Sequence, residues 1–366
     1  MKKIHITLVG SQTAPVYSGI IESDPDKVIF ICSEQTKEEA ERLKSKIACP
    51  SELISIDPIE LTQISETATR LYKNYQNDEI SLNLTGGTKP WNLLFFKVFS
   101  DKENATLFYI DQNNRIWDLK NYQSRVFTFN TESLFSIYGT PLKHFIDLST
   151  YTSRDIEAIK QIECLRSYNY GSFKQLTNIR NVKENHFEEL ADGSYIQCNQ
   201  SEGWVELCLQ NNSKGAVIKR LHSEHIHSII FKSGWFELKI AHLLSKWNKA
   251  RNVQLNCVFK AQNNVDKNEI DIIVNTGSKL LFVECKTQIN TITDIDKFHS
   301  AVKNFGGMGS KALFITDASM RQEAKEKCRD NDILSFSLQD NKSGFWSTEQ
   351  SLFMILDQEL TTLNKK

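Results

Sequence analysis

A rhythm in the first third of the chain constrains the fold more than any other feature. Five short apolar runs, at 3–9, 27–32, 52–56, 80–84 and 106–110, are spaced by segments with helical periodicity at 36–47, 59–75 and 90–100. Strands alternating with helices in this way predict a doubly wound, mostly parallel sheet, so the fold class is α/β. Two further runs, 115–120 and 125–130, extend it as a β-hairpin, and Gly139-Thr140-Pro141 is turn chemistry that closes a domain over 1–140. The rhythm then changes. Residues 152–190 are polar with a helical pattern and 194–219 resemble short antiparallel strands, so 141–230 is taken as a connector or elaboration without an assigned function. From 231 to 366 a second α/β unit with a mixed sheet is expected. It holds an amphipathic helix at 235–247, strands at 269–275 and 279–287, a helix at 293–304, a strand at 312–316, a helix at 319–330 and a strand at 333–338.

Composition narrows the function classes. At roughly 100–200 residues per domain, 366 residues suit two or three domains. Forty-four basic and 45 acidic residues leave a net charge of −1, so any nucleic-acid contact must come from a local patch. No apolar run reaches the 18 or so residues needed to span a bilayer, and the N-terminus reads as a strand rather than a signal peptide. The eight cysteines form no C-x-x-C pair. They read as reduced thiols in a cytoplasmic protein, with neither a zinc site nor a disulfide framework.

Thr85-Gly86-Gly87-Thr88-Lys89 joins an apolar strand to a helix. Two glycines let a ligand approach the backbone, Thr88 suits the helix N-cap, and Pro90 suits the first turn. Free N–H groups, the helix dipole and Lys89 make this an anion site, although it is neither a Walker A loop nor a dinucleotide fingerprint. If the sheet winds in the Rossmann manner, the first and fourth strands are neighbours. Ser11, Gln12 and Thr13, after Gly10, then face the same crevice. On spacing alone, a plain strand-to-helix turn explains TGGTK equally well.

The second candidate site is a set of carboxylates with a lysine. If Asn275 pairs with Leu280 in a hairpin, Asp271 lies opposite Glu284, and Lys286 follows on the same face. Two opposed carboxylates repel each other unless a cation or solvent intervenes, and hard oxygen ligands of this type suit Mg²⁺ or Mn²⁺. On the helix before them, Glu237 sits at the edge of a stripe formed by Phe236, Ile240, Leu243, Leu244 and Trp247, where it needs a partner. Lys239, His242 and Lys246 are expected on the opposite, solvated face. A structural ion pair with a lysine is the plain alternative for Glu237.

Three other features carry less. The cluster His222-Ser223-Glu224-His225-Ile226-His227 has a metal-like composition without a metal-ligand spacing. Gly306-Gly307-Met308-Gly309 with Lys311 precedes a strand and reads as a loop near the second site. Cys285 is expected in the core.

The spacing D-x₁₂-E-x-K, here Asp271…Glu284-Cys285-Lys286 with Glu237 upstream, resembles the restriction-endonuclease-like PD-(D/E)xK nuclease superfamily, without the proline before Asp271. The resemblance implies metal ligation by Asp271, Glu284 and Glu237, with Lys286 orienting the attacking water and Gln288 near the substrate. The Rossmann-like first domain with TGGTK after its fourth strand resembles a CARF domain, the sensor of CRISPR-associated proteins. Together the halves resemble the cyclic-oligoadenylate-activated accessory nucleases of type III CRISPR systems. That resemblance implies a cytoplasmic homodimer cradling a cyclic oligoadenylate, with cyclic tetra-adenylate the expected ring. Its phosphates would meet Thr85, Gly86, Gly87, Thr88 and Lys89, together with Ser11, Gln12 and Thr13. Binding would activate metal-dependent cleavage of nucleic acid, RNA or DNA. Two alternatives stay open: a sensor that degrades its own ligand, and a regulator that binds nucleic acid without cutting it.

Overall fold

The computed structural model describes residues 1–366 except 112–114, 129, 180–181, 233, 261–266, 278, 290, 307–309, 343–346 and 362–366. The first domain runs β1 (Lys3–Leu8), α1 (Thr13–Ser23), β2 (Lys27–Cys32), α2 (Lys37–Lys44), β3 (Ser51–Ser55), α3 (Leu61–Tyr75), β4 (Glu79–Asn83), α4 (Lys89–Phe99), β5 (Ala105–Ile110), β6 (Arg115–Asp118) and β7 (Ser124–Val126). The strand order is β3-β2-β1-β4-β5-β6-β7. Five strands run parallel, and β6 and β7 turn back as the antiparallel hairpin. Central strands are apolar almost throughout because helices cover both faces, and Val28 to Cys32 are all buried. Trp91, Phe95 and Phe99, four residues apart on α4, cover one face together with Ile64, Ala68 and Leu71 of α3. The order reverses between β1 and β4, as Rossmann-type winding requires, so the loops after these strands open onto one crevice.

The rest of the chain runs α5 (Thr131–Ile137), β8 (Leu142–Asp147), α6 (Ser153–Tyr168), α7 (Tyr170–Thr177), β9 (Asn185–Glu189), β10 (Tyr195–Asn199), β11 (Trp204–Asn211), β12 (Gly215–His222), α8 (Ile226–Phe231), α9 (Gly234–Ser245), β13 (Asn252–Phe259), β14 (Lys267–Asn275), β15 (Leu280–Lys286), α10 (Thr293–Phe305), β16 (Lys311–Thr316), α11 (Gln322–Asp330), β17 (Ile333–Ser337) and α12 (Thr348–Thr361). A mixed sheet of order β17-β16-β15-β14-β13-β8 forms its centre. The segment 141–230 is built into this unit. Its first strand, β8, pairs with β13 at the sheet edge, and its four-stranded sheet β12-β11-β10-β9 shares a core with α6, α9 and α12.

The other face of the mixed sheet has no separate core. Cys257, Phe259, Ile273 and Phe282 pack in one cluster with Val16, Ile20, Val28 and Phe30 of the first domain. Helix α5 lies in that cluster, where the Phe135 ring meets Phe259 and Phe282 edge-on at centroid distances of 5.0 and 6.1 Å. Among the described residues, no helix is long and apolar enough to cross a membrane.

Candidate functional sites: a crevice of two loops and a cluster of carboxylates

Contact between loops builds the first site. Gly86 presses so closely on the end of β1 that an added Cβ would collide with the Leu8 carbonyl oxygen, and a Cβ on Gly10 would lie 3.1 Å from the Gly87 nitrogen. Gly87 adopts φ +72°, and a side chain there would meet the Trp91 ring at 2.7 Å, so the turn excludes other residues on two counts. Thr88 caps α4, accepting from the Trp91 N–H at 3.4 Å, while its hydroxyl donates to the Pro58 carbonyl at 2.7 Å. Asn92 donates to the carbonyls of Gly86 and Thr88 and locks the loop onto the helix.

The predicted ligand residues divide. Ser11, Gln12 and Lys89 are exposed at the crevice, and the N–H groups of Ser11, Gly86 and Gly87 have no acceptor among the described residues. Thr13 is buried and donates to the Ile137 carbonyl of α5 at 3.4 Å. The Thr85 hydroxyl accepts from the Ile110 N–H at 2.8 Å. Thr13, Thr85 and Thr88 therefore hold the loops in place, whereas the N–H groups are left without an acceptor among the described residues and Lys89 is exposed. An anion is what such an array can take.

The second site lies where β14 and β15 end against α9. Asn275 pairs with Leu280 and Ile272 with Val283, the hairpin register that puts Asp271 opposite Glu284. The Asp271 carboxylate accepts from the Cys285 N–H at 2.7 Å. Lys286 Nζ lies 2.5 Å from Glu284 Oε1 and 3.8 Å from Asp271 Oδ2, so its ammonium sits between the two carboxylates. Glu237 makes no hydrogen bond or ion pair among the described residues, and the structural ion pair is not formed.

Electrostatics tie the four together. Burial first, and then the charges of Asp271 and Glu269, push the Glu237 carboxyl up to about 8. Burial and Asp271 push Glu284 up to about 7 even with Lys286 beside it. Asp271 is raised as well, mainly by burial, against the pull of Lys286 and the Cys285 N–H. Burial lowers the Lys286 pKa, but its two carboxylate partners outweigh this and the net shift is upward. Buried carboxylates that raise one another's pKa are a common property of functional sites.

Sequence reasoning missed Glu269, an exposed residue at the start of β14. It also placed Lys239 on a solvated face. In the structure Lys239 pairs with Glu163 and approaches Asp317 at 3.9 Å, because α6 covers that side of α9. Arg166 holds Asp317 at 2.8 Å and stacks over Trp235 at 4.3 Å. His225 lies 3.2 Å from the buried Asp155, so its neighbour is a carboxylate of the core. Gly307, Met308 and Gly309 lie outside the described residues.

Carboxylate oxygens are the donor chemistry a hard divalent cation requires. Among the described residues, however, no three His, Cys, Asp or Glu side chains are gathered into a group that could hold a metal ion, because Lys286 occupies the space between Asp271 and Glu284. The donor chemistry fits a cation, and the side-chain arrangement is that of an internal ion pair.

Comparison with known proteins bears on the fold. Residues 4–137 match the family model of the Card1 CARF domain. The first domain is thus a Rossmann-like CARF domain, followed by a second domain with a mixed sheet. Over 98% of this chain the fold resembles all of Can2 from Sulfobacillus thermosulfidooxidans, solved with cyclic tetra-adenylate, at a TM-score of 0.65 and 20% identity. It also resembles 98% of protein VC1899 from Vibrio cholerae, at 0.72 and 14%. A type III CRISPR defence DNA nuclease activated by cyclic oligoadenylate matches at 0.60 and 12%, with this chain spanning 52% of its length. At these identities the likeness is one of fold. No curated protein matches the sequence.

Proposed function

We propose that this protein is a nuclease of type III CRISPR defence, activated when a cyclic oligoadenylate binds its CARF domain. One observation carries the reading: Asp271, Glu284 and Lys286 meet at the end of a hairpin, with an unpaired Glu237 facing them from α9. This set stands in a chain whose other domain is a CARF fold, with the exposed Lys89 beside two glycine-containing loops. The solved relatives support the ligand class, since one is bound to cyclic tetra-adenylate and another is a nuclease activated by cyclic oligoadenylate.

In this reading Ser11, Gln12, Gly86, Gly87 and Lys89 receive the ligand's phosphates. Two copies of the chain form the cradle, because a ring with an even number of repeats is two-fold symmetric and an isologous dimer contacts it identically from both sides. The exposed apolar residues Leu93 and Phe96 on α4, with Ile59 just before α3 and Leu61 at its start, suit such an interface. The ligand activates because it binds the active arrangement more tightly than the idle one.

At the second site, Asp271, Glu284 and Glu237 would hold Mn²⁺ or Mg²⁺, which supplies Lewis acidity and a more acidic water. Lys286 would orient a water towards the phosphorus and would balance the negative charge growing on the phosphoryl oxygens. The substrate is nucleic acid, and the setting is the cytoplasm. The test is a cleavage assay crossing ring sizes of cyclic oligoadenylate with single- and double-stranded RNA and DNA, in Mn²⁺ and Mg²⁺. Shortening of the polymer with one ring size supports the proposal. Loss of the ring alone would make the protein a degrader of its own ligand.

A further inference from the structure

The mixed sheet turns an apolar face to the first domain at Cys257, Phe259, Ile273 and Phe282, and at one end of that face the character changes. Val253 and Leu255 of β13 pack into the opposite core, so Asn252 and Gln254, which alternate with them, are turned towards the first domain. There they line a cavity of about 450 Å³. Its other walls come from the start of α5, the end of β8 and the turn after β14. The volume falls within the range of small-molecule sites, about 300–1,000 Å³. None of the lining residues belongs to the two sites described above.

Gln254 is the side chain that a purely structural wall does not explain. It is 3% exposed, and its Oε1 has no hydrogen-bond partner. An apolar residue of similar size would strand no carbonyl oxygen there, so the carboxamide calls for an explanation. Asp147 of β8 is its register neighbour, and Asn252 donates to the Asp147 carboxylate at 2.7 Å, which fixes that acid beside the carboxamide. Arg251 lies against Gly277, where an added Cβ would come 3.1 Å from its Nε. Among the described residues, neither the Arg251 guanidinium nor the Glu132 carboxylate makes a hydrogen bond or ion pair. One cavity therefore offers a carboxamide, two carboxylates and a guanidinium.

These are the chemistries that a nucleotide requires. A carboxamide is bidentate towards adenine, accepting from N6–H and donating to N7, whereas guanine offers two acceptors on that edge and would leave Oε1 unpaired. A carboxylate accepts from ribose hydroxyls. A guanidinium forks onto a phosphate, and one unpaired cation suits one phosphate. We propose that this cavity binds an adenine mononucleotide, with Gln254 reading the base, Glu132 and Asp147 taking the ribose hydroxyls, and Arg251 the phosphate. Bound there, the nucleotide bridges α5, which packs on the first domain, and the mixed sheet.

The test is titration of the full chain with adenosine 5′-monophosphate, by calorimetry and by melting temperature, without metal or nucleic acid, so neither readout depends on cleavage. The wild-type protein is expected to bind the nucleotide and to melt later as its concentration rises. Gln254→Met should weaken binding about tenfold, within the range for one bidentate base contact. Arg251→Ala should weaken it by a similar factor and leave the affinity for adenosine unchanged. Arg251 is exposed, so its replacement tests the site even where Gln254→Met disturbs the core. No heat and no melting shift at millimolar nucleotide overturns the proposal. Cytidine or guanosine monophosphate bound as tightly overturns the base assignment. Binding that survives both substitutions and is lost in Lys89→Ala puts the nucleotide in the crevice of the first domain and overturns this site.

Discussion

Glu237 and Glu284 are held at pKa values of about 8 and about 7, so near neutral pH both are divided between acid and carboxylate. In the proposed nuclease a cation would compete with those protons. Cleavage and metal uptake should therefore rise from pH 6 to pH 9, and Mn²⁺ binding should release protons, which calorimetry in buffers of different ionisation enthalpy will detect. Without metal the same shift has the opposite consequence. A glutamate whose folded pKa lies above its unfolded one binds more protons in the folded state, so stability falls as pH rises from about 4.5 through about 8. In the metal-free protein, the melting temperature of the wild type relative to that of Glu237→Gln should fall from pH 5 to pH 9, a comparison that cancels the opposite contribution of buried His5. A difference that rises over that interval would show Glu237 to be ionised and paired. Glu284→Ala or Lys286→Ala should abolish cleavage and leave cyclic-oligoadenylate affinity at the wild-type value, because the two sites stand on different sheets.

At the scale of elements, the two loops of the crevice depend on the absence of side chains. Gly86→Ala sets a methyl against the Leu8 carbonyl, and forcing atoms into a packed site typically costs about 1–3 kcal/mol. The expected result is a lowered melting temperature together with weaker ligand binding, measured by titration. The elements that carry both sites were legible in the sequence, because TGGTK joins an apolar strand to a helix with a clear N-cap, and the D-x₁₂-E-x-K hairpin is built from two apolar-rich runs joined by a short turn. Other elements were hidden for identifiable reasons. Helix α1 contains Pro15 and Gly19, which weaken a helical pattern, and a Cβ at Gly19 would lie 2.4 Å from the Asn83 side-chain nitrogen. Strand β13 is interrupted by Gln254 and Asn256, so the pattern breaks at the residue that faces Asp271. Strand β8 is a half-exposed edge with Lys143 and His144 pointing away from any core, and nothing local ties it to residues more than a hundred positions away.

At the scale of the whole molecule, the two sites are joined by packing. Thr13, beside the crevice, bonds to the end of α5, and Thr131 at its start accepts from Asn275 at 3.2 Å, four residues along β14 from Asp271. Because one core contains residues of both domains, calorimetry of the full chain should show a single unfolding transition, and Phe135→Ala should lower it, a truncation that costs about 3–5 kcal/mol in a packed core. Two separate transitions would show that the domains unfold independently. Lys89 tests the sensor end. Losing one charge-assisted hydrogen bond costs about 1.5–3 kcal/mol, and the proposed dimer would lose it twice. Lys89→Ala should shift the ligand dose–response by at least tenfold, at about 1.4 kcal/mol per decade, and cleavage at saturating ligand should return to the wild-type rate. Normal ligand affinity with no cleavage would instead place Lys89 in the transmission path.

The core shared through α5 also bears on modularity. A sensor domain borrowed from another protein brings its own version of Val16, Ile20 and Phe30, which here pack in one cluster with Phe259 and Phe282. Chimeras cut at Gly139 therefore sever a hydrophobic interior rather than a linker. Exchange of specificity between proteins of this architecture should succeed by transplanting the loops at 10–13 and 85–89 onto a resident scaffold, and should fail by transplanting the domain unless α5 and the surfaces it touches travel together. Such a chain inherits its parts as a welded pair, and recombination between lineages would have to respect the weld.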